Sequence, residues 1–322
     1  MSSSGRTQLL FVHGIGGLRD AEQERRTWLE ALADGARKAG HADAVSGLTQ
    51  GWLSEARFVD YSDLFSDPEV QGGGENDIPG EQVEFLEALV RDMVDELARE
   101  AEREGDRQTL RVVDDARDQL QWAGDQSQGL LGPVRVLMNV MTTFLQVPGV
   151  RRAAQWVNGR SLLGHLAQVS RYLDRAERDS RGRALDVRIR ERLLRQTDPG
   201  RPLVVVAHSL GTVVSFEALH EYTGSVELLV TLGSPLATGA AVRQRIRPVP
   251  ARTPEVVARW LNFWDRDDIF VSRPRLRWML PNTSGIVPTT NRVDSDGIWV
   301  HTATKYLRQP AVAGPIAEVL KR

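Results

Sequence analysis

Residues 203–212 read Leu203-Val204-Val205-Val206-Ala207-His208-Ser209-Leu210-Gly211-Thr212. The first five of them are apolar, which is typical of a strand buried on both faces of a sheet. The residues after Ser209 are mostly small or apolar as far as Tyr222, which favours a helix over about 211–222. The segment therefore predicts a strand, a tight turn that carries one serine, and a helix that starts at once.

The same alternation of strands and helices extends on both sides of this segment. Short apolar runs predict further strands at 8–13, 56–61, 226–232 and 258–264. Apolar residues at helical spacing predict helices at 21–38, 81–103 and 184–196, a helix from about 300 to 308, and another before the C-terminus. Strands that alternate with helices predict an α/β fold with a mostly parallel sheet covered on both faces.

The stretch from 105 to 182 differs from the rest of the chain, because its composition is helical and no strand pattern occurs in it. We therefore expect a core made of residues 1–104 and 183–322 and an all-helical insertion at 105–182. An unusually apolar stretch, 130–147, lies within this insertion.

The composition excludes several kinds of function. The chain has 322 residues and a formal net charge of −2, which gives no indication of a nucleic-acid-binding surface. It has no cysteine, so disulfides, thiolate metal sites and a cysteine nucleophile are excluded. The apolar run at 9–12 is too short for a signal peptide, and no apolar stretch of about 20 residues occurs. We expect no membrane-spanning helix and a cytoplasmic location.

Ser209 is flanked two positions away by the small residues Ala207 and Gly211. This pattern resembles the G-x-S-x-G nucleophile elbow of α/β-hydrolases, with alanine at the first small position. Larger side chains there would collide with the neighbouring strand or helix. The resemblance implies a three-layer α/β-hydrolase fold in which Ser209 is the nucleophile. It also implies that the Leu210 N–H, at the helix N-terminus, stabilises the oxyanion. A serine in an ordinary strand–turn–helix connection is the alternative.

The same resemblance selects a histidine. In α/β-hydrolases the acid follows the nucleophile and the histidine follows the acid. Of the six histidines, only His220 and His301 follow Ser209, and His220 lies inside the helix that starts at the turn. His301 is therefore the expected general base.

The acid is expected in the cluster at 265–268, directly after a predicted strand. Asp268 is followed by two apolar residues, which is similar to the acid position of many lipases and cutinases. We expect Asp268 to be the acid, with Asp265 as the alternative; Asp294 and Asp296 are weaker candidates. Gly233-Ser234-Pro235 also recurs in lipase-like proteins and is expected to shape the floor near the acid.

His13-Gly14-Ile15-Gly16-Gly17 follows the first strand and looks like the HG-x-G loop of lipases and esterases. Glycines let such a loop approach the substrate closely with an N–H pointing at the oxyanion. We assign this second donor to Ile15, with Gly16 as the alternative, and expect Gly14, Gly16 and His208 to lie against the substrate. In the family the histidine of this loop is structural. A phosphate-binding loop is the rival interpretation, but neither GxGxxG nor a Walker lysine is present.

The resemblance implies a serine esterase of the lipase-like type that acts on a small-molecule or lipid ester, without a metal or a cofactor. Thioesterase, phospholipase or acyltransferase activity would use the same residues, and a non-catalytic interaction protein is a further alternative. The family usually has two strands before the HG strand, so the sheet is expected to be shortened at its N-terminal side. The insertion would form a cap, with Leu137, Met138 and Met141 either facing an acyl chain or packed in the insertion's own core. The oligomeric state stays open.

Overall fold

In the part of the chain that the structure describes, six short strands form one parallel sheet. The computed structural model describes residues 6–65, 80–125, 132–144, 146–147, 159–237, 239–265, 268, 276, 280, 286–295 and 301–322. The strands are β1 Gln8–Val12, β2 Glu55–Val59, β3 Leu203–His208, β4 Val226–Leu232, β5 Trp260–Asp265 and β6 Thr289–Val293. Their order in the sheet is β2-β1-β3-β4-β5-β6, and each neighbouring pair is parallel.

Helices cover both faces of this sheet, as continuous apolar strands require. The described α-helices are α1 Ala21–Lys38, α2 Ala44–Thr49, α3 Gly80–Glu104, α4 Arg107–Asp125, α5 Gly132–Phe144, α6 Gly159–Asp174, α7 Leu185–Leu194, α8 Leu210–Leu219, α9 Gly239–Arg243, α10 Ala303–Leu307 and α11 Pro310–Leu320. Two 3₁₀ turns occupy Ser62–Phe65 and Pro235–Ala237.

The two faces of β1 show how the core is divided. Leu10 and Val12 belong to one apolar cluster, which includes residues of α3 to α9. Leu9 and Phe11 belong to a second cluster, which includes residues of α1, α2, α10 and α11. Because neighbouring side chains of a strand point to opposite faces, the sheet is the middle layer between two helical layers. The α/β architecture and the parallel sheet are confirmed.

Most predicted elements lie within a few residues of the observed ones. Strand β6 and the short helices α2 and α9 were not predicted. Strand β6 has a single buried side chain, Val293, so it carries no apolar pattern that would indicate a strand. The six residues of α2 are too few to show a helical stripe.

The described part of the stretch 105–182 is largely helical, but it is not separated from the rest of the chain. The expected boundary at 104/105 falls between α3 and α4, and these two helices pack against each other. Leu137 and Met141 of α5 belong to the same apolar cluster as Leu10 of β1. The described helices α4, α5 and α6 therefore share one core with the sheet.

A buried group of charged side chains links the end of α6 to α7 and α8. Arg175 pairs with Asp186 on α7 at 2.5 Å and with Glu217 on α8 at 2.7 Å. Tyr172 of α6 donates to Glu217 at 2.9 Å, and Arg190 pairs with Asp186 at 2.7 Å. Charges this deeply buried persist because each carboxylate has several donors.

No helix within the described ranges has the length and apolar character needed to cross a membrane.

Candidate active site

A cleft of about 320 Å³ lies at the carboxyl ends of β1 and β3. Its lining comes from the loop after β1 and the first part of α1, from His208 at the end of β3 and Ser209 after it, and from residues 301–304 at the start of α10. The chain leaves β1 toward α1 on one face of the sheet and leaves β3 toward α8 on the other. Connections that part in this way leave a crevice where parallel α/β folds commonly bind ligands.

Ser209 occupies a strained turn between β3 and α8. Its φ is 52° and its ψ is −128°, a conformation that residues with a side chain rarely adopt. In the described part of the chain, Arg175 is the other non-glycine residue with a positive φ. The Ser209 N–H donates to Leu232 of β4 at 3.0 Å, and the Thr212 N–H donates to the Ser209 carbonyl at 2.9 Å. These bonds hold the turn in place on the sheet.

Glycines bring the turn at Ser209 and the loop after β1 into direct contact. A Cβ on Gly211 would lie 2.2 Å from the carbonyl oxygen of His13 and 2.6 Å from that of Val12. A Cβ on Gly14 would lie 2.5 Å from the Ser209 Cβ. The steric requirement predicted for Gly211 is confirmed, because no larger residue fits at that separation.

Ser209, His301 and Asp268 lie in one line of hydrogen bonds. The Nδ1 atom of His301 is 2.7 Å from Asp268 Oδ2, and its Nε2 atom is 3.0 Å from Ser209 Oγ. An ionised carboxylate only accepts hydrogen bonds, so Nδ1 carries the proton. In the neutral ring the Nε2 lone pair then faces the serine hydroxyl. The side chain of Asp268 is fully buried and that of His301 is 9% exposed.

Asp265 lies next to this line but is engaged differently. Its Oδ2 accepts from the Ser295 N–H at 2.6 Å, and its own N–H donates to the Tyr306 hydroxyl at 3.1 Å. Tyr306 in turn donates to Asp268 Oδ2 at 2.8 Å. Asp294 pairs with Arg292 at an exposed position, and residue 296 lies outside the described residues. Of the candidate acids that the structure describes, Asp268 is the one with a hydrogen bond to His301.

Tyr306 is a site residue that the sequence analysis missed. It is fully buried in α10 and contacts both Asp265 and Asp268. Burial, followed by the charge of Asp268, raises the pKa of Tyr306 well above its usual value, so its hydroxyl stays a donor. No motif marks this tyrosine in the sequence, since its partners are 38 and 41 residues away.

Gly233 lies beneath the His301–Asp268 pair, as predicted for the Gly233-Ser234-Pro235 turn. Its φ is 53°, and a Cβ there would lie 3.0 Å from Asp268 Oδ2 and 3.3 Å from His301 Nδ1. Ser234 has a different environment, because its hydroxyl is 2.7 Å from the Thr212 hydroxyl and it is buried.

The backbone N–H groups of Leu210 and Ile15 donate to no residue that the structure describes. Leu210 is the first residue of α8, where the helix dipole is positive. Gly16, the alternative to Ile15, has its N–H occupied, because it donates to Gln168 Oε1 of α6 at 2.9 Å. An anion above Ser209 therefore has Leu210 and Ile15 as candidate donors.

His13 is packed into the loop. Its Nδ1 donates to the Gly14 carbonyl at 2.5 Å, and its ring stacks on Tyr61 and Phe58. Burial lowers the pKa of His13, which keeps the ring neutral. The geometry gives His13 a place in the shape of the loop and no contact with the Ser209 hydroxyl.

His208 lines the cleft beside His301, with 4.7 Å between the ring centroids. Burial, followed by the neighbouring His301, holds the pKa of His208 well below its usual range, so this ring is neutral. Its Nε2 atom is buried without a hydrogen-bond partner in the described part of the chain.

Of the two alternatives stated for Leu137, Met138 and Met141 of α5, the described contacts favour packing in a core. Leu137 and Met141 are buried in the apolar core, and Met138 is half-buried and packs against the same cluster. None of the three lines the cleft. A stripe of leucine and methionine looks the same in the sequence whether it covers a ligand or a core, and here it covers the core.

Two charged residues of the cleft were also missed by the sequence analysis. Arg19 donates to the Ile15 carbonyl at 3.0 Å and pairs with Glu24 at 3.0 Å, and both side chains line the cleft. The cleft is therefore polar on this side. The described residues contain no group of three or more histidine, aspartate or glutamate side chains placed to hold a metal ion.

Comparisons of the chain with models of protein families, with curated proteins and with solved structures found no match.

Proposed function

We propose that this protein is a serine hydrolase that cleaves carboxylic esters, with Ser209 as its nucleophile. One observation carries the proposal, namely the line of hydrogen bonds from Ser209 through His301 to Asp268, which starts at a strained turn in the wall of a cleft. Strain of this kind is retained where the surrounding structure enforces it, and it is concentrated at functional sites. As part of the same proposal, we assign the chain to the α/β-hydrolases, with α4, α5 and α6 as the insertion.

The proposed reaction follows from the hydrogen bonds between Ser209, His301 and Asp268. Ser209 Oγ attacks the ester carbonyl carbon while His301 Nε2 takes its proton. Asp268 holds the Nδ1–H and stabilises the imidazolium that forms. The C–O bond to the alcohol then breaks, and His301 returns the proton to the leaving oxygen. Water attacks the acyl-enzyme in the same way, releases the acid and restores the serine.

The oxyanion formed in each half-reaction needs donors that are in place beforehand. The N–H groups of Leu210 and Ile15 are suited to this, because they donate to no described residue. Leu210 follows the turn at Ser209 and Ile15 lies in the loop after β1, and these two segments touch at Gly14. Loss of one such donor typically costs about 10²- to 10³-fold in kcat. His208 would add to the packing around His301 without competing for its proton, since its pKa is low.

Hydrolysis of p-nitrophenyl esters tests the proposal. The cleft of about 320 Å³ is at the small end of ligand sites, so acetate and butyrate esters are expected to react faster than long-chain esters. Ser209→Ala should lower kcat/KM by about 10⁴-fold or more. Ser234→Ala is the matched control, because it removes another buried hydroxyl on the neighbouring turn. Equal rates for the wild type and Ser209→Ala would refute the nucleophile.

A further inference from the structure

Gln168 of α6 makes a two-point contact with the loop after β1. Its Oε1 accepts from the Gly16 N–H at 2.9 Å, and its Nε2 donates to the Gly16 carbonyl at 3.1 Å. The two residues are 152 positions apart, and Gln168 belongs to the helical insertion. Among side chains, only the amides of Asn and Gln can donate and accept in one plane and so match both polar groups of a backbone residue.

This contact completes a set of bonds that fix the loop around Ile15. The Ile15–Gly16 peptide has its carbonyl bound by Arg19 and its N–H bound by Gln168. The preceding peptide, Gly14–Ile15, has its carbonyl bound by His13 Nδ1. In a planar trans peptide the N–H points away from the carbonyl, so fixing the Gly14 carbonyl and the next peptide fixes the direction of the Ile15 N–H.

We propose that Gln168 is a positioning residue for ester hydrolysis, which holds Gly16 so that the Ile15 N–H is aimed at the oxyanion. The inference rests on the proposed function. It makes the helical insertion a part of the catalytic apparatus, because α6 supplies one of the bonds that restrain the glycine-rich loop, the bond to the Gly16 N–H. Gly16 itself has a φ of 148°, a backbone conformation that favours glycine, and its side-chain position is filled by the Arg19 guanidinium.

Two substitutions distinguish a positioning role of Gln168 from a contribution to the stability of the fold alone. Gln168→Met keeps the length of the side chain and removes both hydrogen bonds. Gln168→Glu keeps the acceptor for the Gly16 N–H but turns a carboxylate oxygen toward the Gly16 carbonyl, where the Nε2 donor now lies. The matched control is Gln119→Met, because Gln119 is also a half-buried glutamine of the insertion whose side-chain partner is Thr143 of α5.

The readouts are kcat and KM for p-nitrophenyl butyrate, the affinity for phenylboronic acid and the thermal midpoint of each variant. Phenylboronic acid forms a tetrahedral adduct with an active serine and so reports on the oxyanion donors. Gln168→Met should lower kcat by about 10-fold or more, with KM changed by less than about 2-fold and boronate affinity lowered by about the same factor as kcat. Gln168→Glu should lose more, because its charge opposes the oxyanion. Gln119→Met should keep the wild-type kcat.

Three results would overturn the inference. The first is that Gln168 variants match the wild type in kcat and boronate affinity. The second is that they raise KM with kcat unchanged. The third is that they lose activity only in step with the folded fraction. If the wild type hydrolyses no ester and binds no boronate, the proposed function fails as well. An active wild type with unaffected Gln168 variants removes only the positioning role.

Discussion

Gly211→Ala should disrupt the candidate site more than the addition of one methyl group suggests. The new Cβ would lie 2.2 Å from the His13 carbonyl oxygen, whereas ordinary contacts begin at 3.4 Å, so the turn and the loop must separate by roughly 1 Å. Overpacking of this size costs about 1–3 kcal/mol. A displacement of about 1 Å between reacting groups can also lower the rate by about 10²-fold. We expect kcat/KM for p-nitrophenyl butyrate to fall by about that factor.

Gly224→Ala is the matched control for this prediction. A Cβ on Gly224 would lie 2.8 Å from Pro199 Cα and 2.5 Å from the Tyr222 hydroxyl, so it also creates a clash. Gly224 precedes β4 and so lies at the amino ends of the strands, opposite the cleft. Urea denaturation should show a loss of stability in both variants, while only Gly211→Ala loses activity per folded molecule. The reasoning is refuted if Gly211→Ala keeps full activity, or if both variants lose activity equally.

Four further outcomes are expected. Asp268→Asn should lower kcat/KM for esters by about 10⁴-fold, whereas Asp265→Asn should mainly lower stability; the opposite ranking would exchange their roles. Tyr306→Phe should destabilise the fold by about 2 kcal/mol in urea denaturation, because it removes a buried hydrogen bond to a carboxylate. Burial keeps His208 unprotonated in the fold, while the unfolded chain binds this proton below a pKa of 6.5. Folding stability linked to this residue is therefore fully present above pH 6.5 and is lost as the pH falls below that value. His208→Gln should reduce the shift in thermal midpoint between about pH 7.5 and about pH 5.5, and an unchanged shift would contradict the assignment. Glu217→Ala should destabilise the fold by about 3 kcal/mol in urea denaturation, because it removes one of the two buried carboxylates that Arg175 and Arg190 share.

The line of contacts from Ser209 to Asp268 could be predicted because few residues satisfied its constraints. Small residues on both sides of one serine indicated the turn, and the chain order implied by the resemblance to α/β-hydrolases left a single suitable histidine. The acid was limited to one short cluster after a strand. Spacing along the chain could not separate Asp268 from Asp265, since they are three residues apart. That choice depends on which carboxylate faces the imidazole, and the structure places Asp268 there.

Other parts of the site depend on contacts between distant segments and have no local signal. Gln168 and Tyr306 reach their partners from 152 and 38 residues away, and each lies in a helix whose pattern records only its buried face. For Leu137 and Met141 the difficulty is different. An apolar stripe on a helix predicts that these side chains are buried, but it does not show whether protein or ligand covers them. Strand β6 was missed for a related reason, since it pairs through its backbone and buries little.

Labelling with a fluorophosphonate, followed by mass spectrometry of the peptides, shows directly whether Ser209 is an activated nucleophile. Such a probe phosphonylates a serine hydroxyl only where a base activates it and donors stabilise the anion. We expect one labelled residue, Ser209, with labelling abolished in Ser209→Ala, strongly slowed in His301→Gln and unchanged in Ser234→Ala. A wild-type protein that resists the probe, or labelling that persists in Ser209→Ala, would contradict the account.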